Sequence, residues 1–355
     1  MLIQQKAIQT VRHSPYSWVE AEFHRSTQVI MEKDFPCTFG ILGAQKEVHY
    51  ISALNFPYSA QALAEDITQY LSEIRAMPAK ERGVSGLLVY FEPIGAMSLQ
   101  SLQLTAWELL SQLERYDETP WPAGVSRDPA DPDYAFCFQG EVWFINFSSS
   151  GYANRDSRNL GSQISLAMQA FSASDEYFNY NNKRKANAQK LVRSRAEKFD
   201  GCPVHHGLGP IIGEEKPSPL KLSYFIGDTN QIDSFEPWLY ETISADFYLI
   251  DEEIVSWLGE ANFRDAVRRM NQLGKEVIVV DDPNTSLTEQ VRRLNTTKDV
   301  LWITSNPAHT HICPEEHVYC CCLRKDSHPE EIPGVLLIDH LFDTFALIKP
   351  SIKLS

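Results

Sequence analysis

An α+β domain followed by a smaller α/β domain with a parallel sheet is the fold class that three observations predict. Over residues 1–232, stripes at helical spacing and short buried runs follow one another without a regular repeat, which is an α+β pattern. Over residues 233–355 the rhythm becomes strand, helix, strand, which implies a small parallel sheet of flavodoxin-like style. Between the two, Glu214-Glu-Lys-Pro-Ser-Pro219 reads as a linker, and Leu220–Ile226 as a strand that closes the first domain.

In chain order, a helix is expected over Trp18–Met31. Pro36 forces Phe35 out of the helical region, so Cys37 stands at the start of new structure. Val48–Ala53 reads as a strand, Ala60–Ile74 as a helix with Leu63, Ile67, Tyr70, Leu71 and Ile74 on one stripe, and Leu87–Phe91 as a buried strand. A helix follows over Leu99–Tyr116. Tyr134–Phe138 and Val142–Phe147, joined through Gln139-Gly140, read as a hairpin apolar on both faces and therefore central in its sheet. The loop Asn154-Arg-Asp-Ser-Arg158 sets two arginines beside an apolar sheet end, a placement suited to holding an anion. Ile164–Phe171 is a buried strand or short helix, and Lys183–Lys198 is a basic helix that leads into a turn-rich segment bearing His205 and His206. In the second domain Phe247–Ile250, Val277–Val280, Val300–Ile303, Val318–Leu323 and Val335–Ile338 are the strands, with helices at Arg264–Gln272 and Ser286–Leu294. Asp251, Asp281, Asp282, Ser305 and Asn306 stand at strand ends, where parallel sheets bind ligands.

Composition narrows the function. A formal charge of −15 argues against a nucleic-acid partner and allows a small cationic substrate. The absence of an apolar run of about 18 residues argues against a membrane span, and the opening residues lack a secretion signal, so a cytoplasmic location is expected. Seven cysteines, three of them adjacent at 320–322, form no disulfide framework and are expected to be reduced. No glycine-rich phosphate loop follows a strand, and no Gly-x-Ser-x-Gly elbow is present. His309, His311 and Cys313 would share one side if extended, which makes them candidates for a non-heme metal, although their spacing matches no zinc-finger signature.

Several motifs of the first domain fall in an order that resembles the YqcI/YcgG family. They are Phe35-Pro-Cys-Thr-Phe-Gly40, the helix with Trp107 and Leu109-Leu110 leading to Asp117, Pro120-Trp-Pro122, Asp128-Pro129, Phe136-Cys-Phe-Gln-Gly140, and Arg155-Asp-Ser-Arg-Asn-Leu-Gly161. Val192-Arg-Ser-Arg195, Phe199-Asp200, His205 and Leu208-Gly209 extend the resemblance, which covers roughly residues 20–226. It implies a heme-dependent oxygenase that N-hydroxylates an amine or guanidine of an amino-acid-like substrate such as arginine, with heme b, dioxygen as co-substrate and an electron donor. The sequence departs from the family pattern at Tyr152, where relatives carry histidine, at His206, where proline is usual, and over Leu220–Tyr224.

Such an enzyme needs an axial ligand, anchors for the propionates and an apolar pocket. Cys37 and His205 are the two candidate iron ligands, and the residues leave the choice open. Phe136, Phe138 and Trp143 suit a pocket wall. Arg155 and Arg158 suit propionates or a substrate carboxylate, and with Ser157 they are the catalytic candidates. The rival readings are a heme-free ligand-binding or regulatory protein that keeps the fold, and a non-heme metalloenzyme.

Overall fold

The computed structural model describes residues 1–93, 99–129, 131, 134–208, 224–232 and 234–237, and beyond them 242–243, 247–252, 255–256, 264, 267–268, 271, 276–280, 300–304, 318–322 and 347–348. The chain divides into two compact units, Met1–Leu239 and Tyr240–Ser355.

The first unit opens with β1 (Leu2–Gln4) and α1 (Trp18–Ile30), which buries Val19, Phe23 and Ile30 on one side. Cys37 is the N-cap of a short helix, α2 (Thr38–Gln45), with its Sγ accepting from the Gly40 amide at 3.2 Å. The sequence does not announce this helix, because Gly40 and Gly43 lower its propensity. Gly43 is required there, since a Cβ would lie 2.3 Å from the His49 ring. Then come β2 (Tyr50–Leu54), α3 (Ala60–Arg75) capped by the Ser59 hydroxyl, α4 (Ala79–Arg82) and β3 (Leu87–Phe91). α5 (Leu99–Gln112) runs on as a 3-10 turn to Tyr116. β4 (Cys137–Phe138), β5 (Glu141–Ser149), β6 (Ile164–Ala170), α6 (Phe171–Tyr177) and α7 (Asn182–Asp200) complete the unit. Asn181 caps α7 at its start, and Gly201 ends it in the left-handed conformation at φ 66°.

The strands form one mixed sheet in the order β1-β2-β3-β6-β5-β4, with β2 and β3 parallel and every other pair antiparallel. Helices cover both faces at β2 and β3, and this is why those strands are apolar at nearly every position. On one face Leu87, Val89 and Phe91 pack with Leu63, Ile67 and Tyr70 of α3 and with Leu102, Leu110 and Leu113 beyond them. On the other, Ile51, Ala53, Leu88 and Tyr90 pack with Val19 and Phe23 of α1.

The aromatic hairpin lies at the sheet edge and not at its centre. Only Cys137 and Phe138 of its first arm pair as a strand, and β4 is the last in the order. Trp143, Ile145 and Phe147 are buried against α3 and α5, whereas Phe144 on the opposite face is 39% exposed. Its tight turn does form as the sequence predicts. Gln139 and Gly140 both have positive φ, 55° and 71°, the combination a two-residue type I′ turn requires. Asp117 holds that turn, accepting from the Gln139 amide at 2.8 Å and the Thr119 amide at 2.9 Å. The described end of the expected strand over 220–226, Tyr224–Ile226, is a buried turn.

In the second unit β7 (Thr242–Ile243) is followed by β8 (Phe247–Asp251), β9 (Glu276–Val280), β10 (Val300–Thr304) and β11 (Val318–Cys322). The last four form a parallel sheet in the order β11-β10-β8-β9, while β7 pairs antiparallel with β12 (Leu347–Ile348). Arg264, Val267, Arg268 and Asn271 are helical, as the expected helix there requires. The Val335–Ile338 strand, the Ser286–Leu294 helix, Asp281, Asp282, Ser305, Asn306, His309, His311 and Cys313 lie outside the described residues. Among the described residues, no helix is long and apolar enough to cross a membrane.

Candidate functional site

The connection between β5 and β6 carries the arginine motif, and it is tied down by two segments far along the chain. Tyr152 is 1% exposed, donates from its hydroxyl to the Ile226 carbonyl at 2.9 Å and accepts from Gln103 at 3.3 Å. Burial pushes that phenol up to about 12, so it is a neutral donor. The Asp228 carboxylate accepts from the backbone amides of Ala153 and Asn154, at 3.0 and 2.8 Å, and from the Asn154 side chain at 2.6 Å. The Asp200 carboxylate at the end of α7 accepts from the Ser157 amide at 2.8 Å and from its hydroxyl at 2.9 Å. Burial raises the Asp200 pKa, and these two bonds together with the nearby arginines pull it back.

The two arginines look alike in sequence and differ in what they hold. Arg155, 3% exposed, has all three of its nitrogens engaged by the fold, with Nε on the Gly227 carbonyl at 3.1 Å, Nη1 on the Pro203 carbonyl at 3.3 Å and Nη2 on Asn230 Oδ1 at 3.2 Å. Arg158, at the end of a 3-10 turn, is 8% exposed and donates from Nη1 to the Phe147 carbonyl at 3.0 Å. Among the described residues no carboxylate forms an ion pair with it. Asp200 acts on it through space alone, and burial pulls its pKa down. A buried guanidinium without a counter-charge costs several kcal/mol unless an anion joins it.

His205 comes to the same end of the molecule, through the segment that Arg155 grips. It is 1% exposed and stacks on His206 with ring centroids 4.3 Å apart. Nδ1 accepts from the Gly207 amide at 3.0 Å, and Nε2 donates to the Ile232 carbonyl at 2.8 Å. Burial lowers its pKa, so the ring is neutral and both nitrogens are engaged. Cys37 is an exposed residue whose thiol faces the first turn of α2 and is pushed up by removal from water, the Gly40 and Phe39 amides opposing. Phe138 and Trp143 are fully buried and Phe136 nearly so. Trp143 Nε1 donates to the Phe138 carbonyl at 3.0 Å, and the Tyr224 hydroxyl links the Phe136 amide to the Trp143 carbonyl at 3.2 and 3.3 Å. The structure therefore gathers Tyr152, Arg155, Ser157, Arg158 and His205 around one loop cluster, packs the aromatic trio into the core, and puts Cys37 at a helix start.

Asp228, Asn230 and Gln103 complete the cluster, and sequence reading did not find them. Asp228 and Asn230 lie 74 or 75 positions from the groups of the arginine loop that they bind, beyond the reach of any local pattern. Chemically the cluster can hold an anion at Arg158 beside a neutral phenol. Among the described residues, no group of three or more His, Cys, Asp or Glu side chains is gathered as a metal set.

Known proteins resemble this chain in sequence. The model of the YqcI/YcgG family matches residues 26–234. A Streptomyces lavendulae protein provisionally named N(omega)-hydroxy-L-arginine synthase DcsA is 26% identical over 201 residues, which span 54% of this chain and 74% of that one. Two uncharacterized proteins of Bacillus subtilis (strain 168) also match. YcgG is 26% identical over 50% of this chain and 70% of its own, and YqcI is 24% identical over 63% and 89%. No solved structure matches the chain.

Proposed function

The chain belongs to the YqcI/YcgG family, and on that premise we propose that it N-hydroxylates an amine or guanidine nitrogen of a small amino-acid-like substrate such as arginine. The observation that carries the reading is the Arg158 guanidinium, buried and without a carboxylate partner among the described residues. A substrate carboxylate supplies the missing charge and can bind the guanidinium through two parallel bonds. Ser157 and Arg155 then act as positioning residues, since Ser157 is fixed on Asp200 and Arg155 on the 203–230 segments. Tyr152 adds a neutral hydroxyl at the same buried end. The name of the Streptomyces relative, given for N-hydroxyarginine synthesis, points to the same chemistry.

Heme b, with dioxygen as co-substrate and an external electron donor, is the oxidising equipment that the resemblance implies. The candidate ligands do not fit an iron as they stand. His205 has both nitrogens bonded, and Cys37 is an exposed helix cap with a raised thiol pKa. Iron binding at His205 would require release of the Ile232 carbonyl or the Gly207 amide. The closed imidazole favours a second reading, a heme-free ligand-binding protein that keeps the fold. The second unit we assign to a flavodoxin-like α/β fold from its parallel strands, with a structural or regulatory role ranked above a catalytic one.

One experiment separates these readings. Hemin is titrated into the full chain while the Soret band is recorded, and the protein is then given L-arginine, air and a reductant. A product heavier by one oxygen atom, formed only with hemin, is the expected result. Arginine binding with neither heme uptake nor product moves the assignment to the ligand-binding reading, and no arginine binding overturns both.

A further inference from the structure

Helix α7 is at odds with the rest of the molecule. In a chain of formal charge −15, its 19 residues carry seven lysines and arginines against Glu197 and Asp200, and none of its residues is buried. Its exposed positions follow a three- and four-residue spacing, so Lys183, Arg184, Asn187, Lys190, Leu191 and Ser194 share one face. Leu191 stands 48% exposed in the middle of that face, and Tyr180 just before the helix is 71% exposed. Several cations of the helix serve the fold, since Lys185 pairs with Asp175, Lys198 with Asp34, and Arg193 caps the Leu208 carbonyl. Lys183 and Arg184 stand exposed at the start of the stripe.

We propose that this face docks a small acidic electron-carrier protein, an inference that rests on the N-hydroxylase reading because that chemistry draws electrons from outside the chain. Converting an N–H bond to N–OH takes one oxygen atom of dioxygen. The other leaves as water, which consumes two electrons and two protons. Each visit of a reduced one-electron carrier delivers one electron and leaves the carrier oxidised, so two visits serve one turnover. Two features select this occupant. A basic stripe with an apolar residue at its centre matches a small acidic protein surface with its own apolar patch, which can meet the stripe alone, whereas an extended polyanion such as nucleic acid or an anionic membrane would also lie against the acidic remainder of the chain. The helix, roughly 28 Å long, also leads into the candidate site, because its last residue, Asp200, holds Ser157 and the chain continues to His205.

Binding of an acidic flavodoxin to the full chain, measured by surface plasmon resonance at low and high salt, tests the proposal without turnover. Flavodoxin should bind with an affinity that falls as salt rises, and basic cytochrome c should not bind. The double variant K183E/R184E should weaken flavodoxin binding about tenfold or more. Acidic side chains at a helix start suit its dipole, so this variant keeps the fold. L191S should weaken binding with less change in the salt dependence. Arginine binding should stay unchanged in both variants. Flavodoxin binding that is absent, or indifferent to K183E/R184E, overturns the proposal. So does binding of RNA or anionic vesicles with the same dependence on Lys183 and Arg184. Any of these leaves the N-hydroxylase reading standing, because that reading is tested by product formation.

Discussion

The apolar layer beneath β5 and the polar cluster at its far end are built on the same strand and solve opposite problems. Trp143, Ile145 and Phe147 point into the layer under α3 and α5, and their few polar atoms are answered locally, as Trp143 Nε1 is by the Phe138 carbonyl. The cluster around Arg155 and Arg158 buries charge, and apart from the Phe147 carbonyl the partners of Arg155, Ser157 and Arg158 come from 43 to 75 positions away. The difference teaches where binding chemistry can reside. A filled apolar layer has no donor to spare, whereas a buried guanidinium can take a ligand where the fold leaves its donors open, and Arg158, with one bond to the Phe147 carbonyl against three at Arg155, is the more open of the two.

The comparison is sharpest in stability. Trp143→Ala opens a cavity in the packed layer and should cost about 3–5 kcal/mol in chemical denaturation. A smaller loss would show that the layer can collapse around the void. Arg155→Ala removes the bonds that join residues 203, 227 and 230 and should cost about 2–4 kcal/mol, with Arg155→Lys recovering little because a single ammonium cannot span three acceptors.

Arg158→Met should behave in the opposite way. Removing a buried, uncompensated charge leaves stability unchanged or raises it by about 1–2 kcal/mol. Affinity for L-arginine should fall about tenfold or more, while binding of agmatine, which lacks the carboxylate, should hardly change. A stability loss as large as that of Arg155→Ala would erase the distinction between the two arginines.

The smallest expected effect is in pH. Burial lowers the pKa of both His205 and His49 below the ordinary 6.5, so the unfolded chain takes up more protons than the folded one as acid is added. Their contribution is therefore complete above the ordinary value and is lost below it, at no more than about 1.4 kcal/mol per pH unit for each. Melting temperatures at about pH 7.5 and about pH 5.5 should show the drop, and His205→Gln should reduce it, since an amide can still donate to Ile232. A His205 titration by NMR near its ordinary value would contradict the buried neutral ring.

Much of the fold was legible because its signals are local. The stripe Leu63, Ile67, Tyr70, Leu71 and Ile74 is α3, Leu87–Phe91 is β3 to the residue, and Gln139-Gly140 makes the turn its composition calls for. α1 ends at Ile30, ahead of Pro36 rather than at it, while Cys37 stands at the start of α2 as the residues after a proline suggest. The hairpin misled because its outer face is apolar in composition, yet β4 pairs on one side only and Phe144 is left partly in solvent. Apolar residues on both faces of a strand do not say how many strands lie beside it.

By itself the sequence determined the identity of elements such as α1, α3, β3 and α7, the family motifs and the presence of two arginines beside a sheet end, because periodicity, capping and turn chemistry act over a few residues. Tertiary structure alone decided which arginine is spent and which is not, and that the His205 ring is closed on Gly207 and Ile232. The physical reason is that the worth of a charge depends on its burial and on partners brought from far along the chain, and neither is encoded in its neighbours.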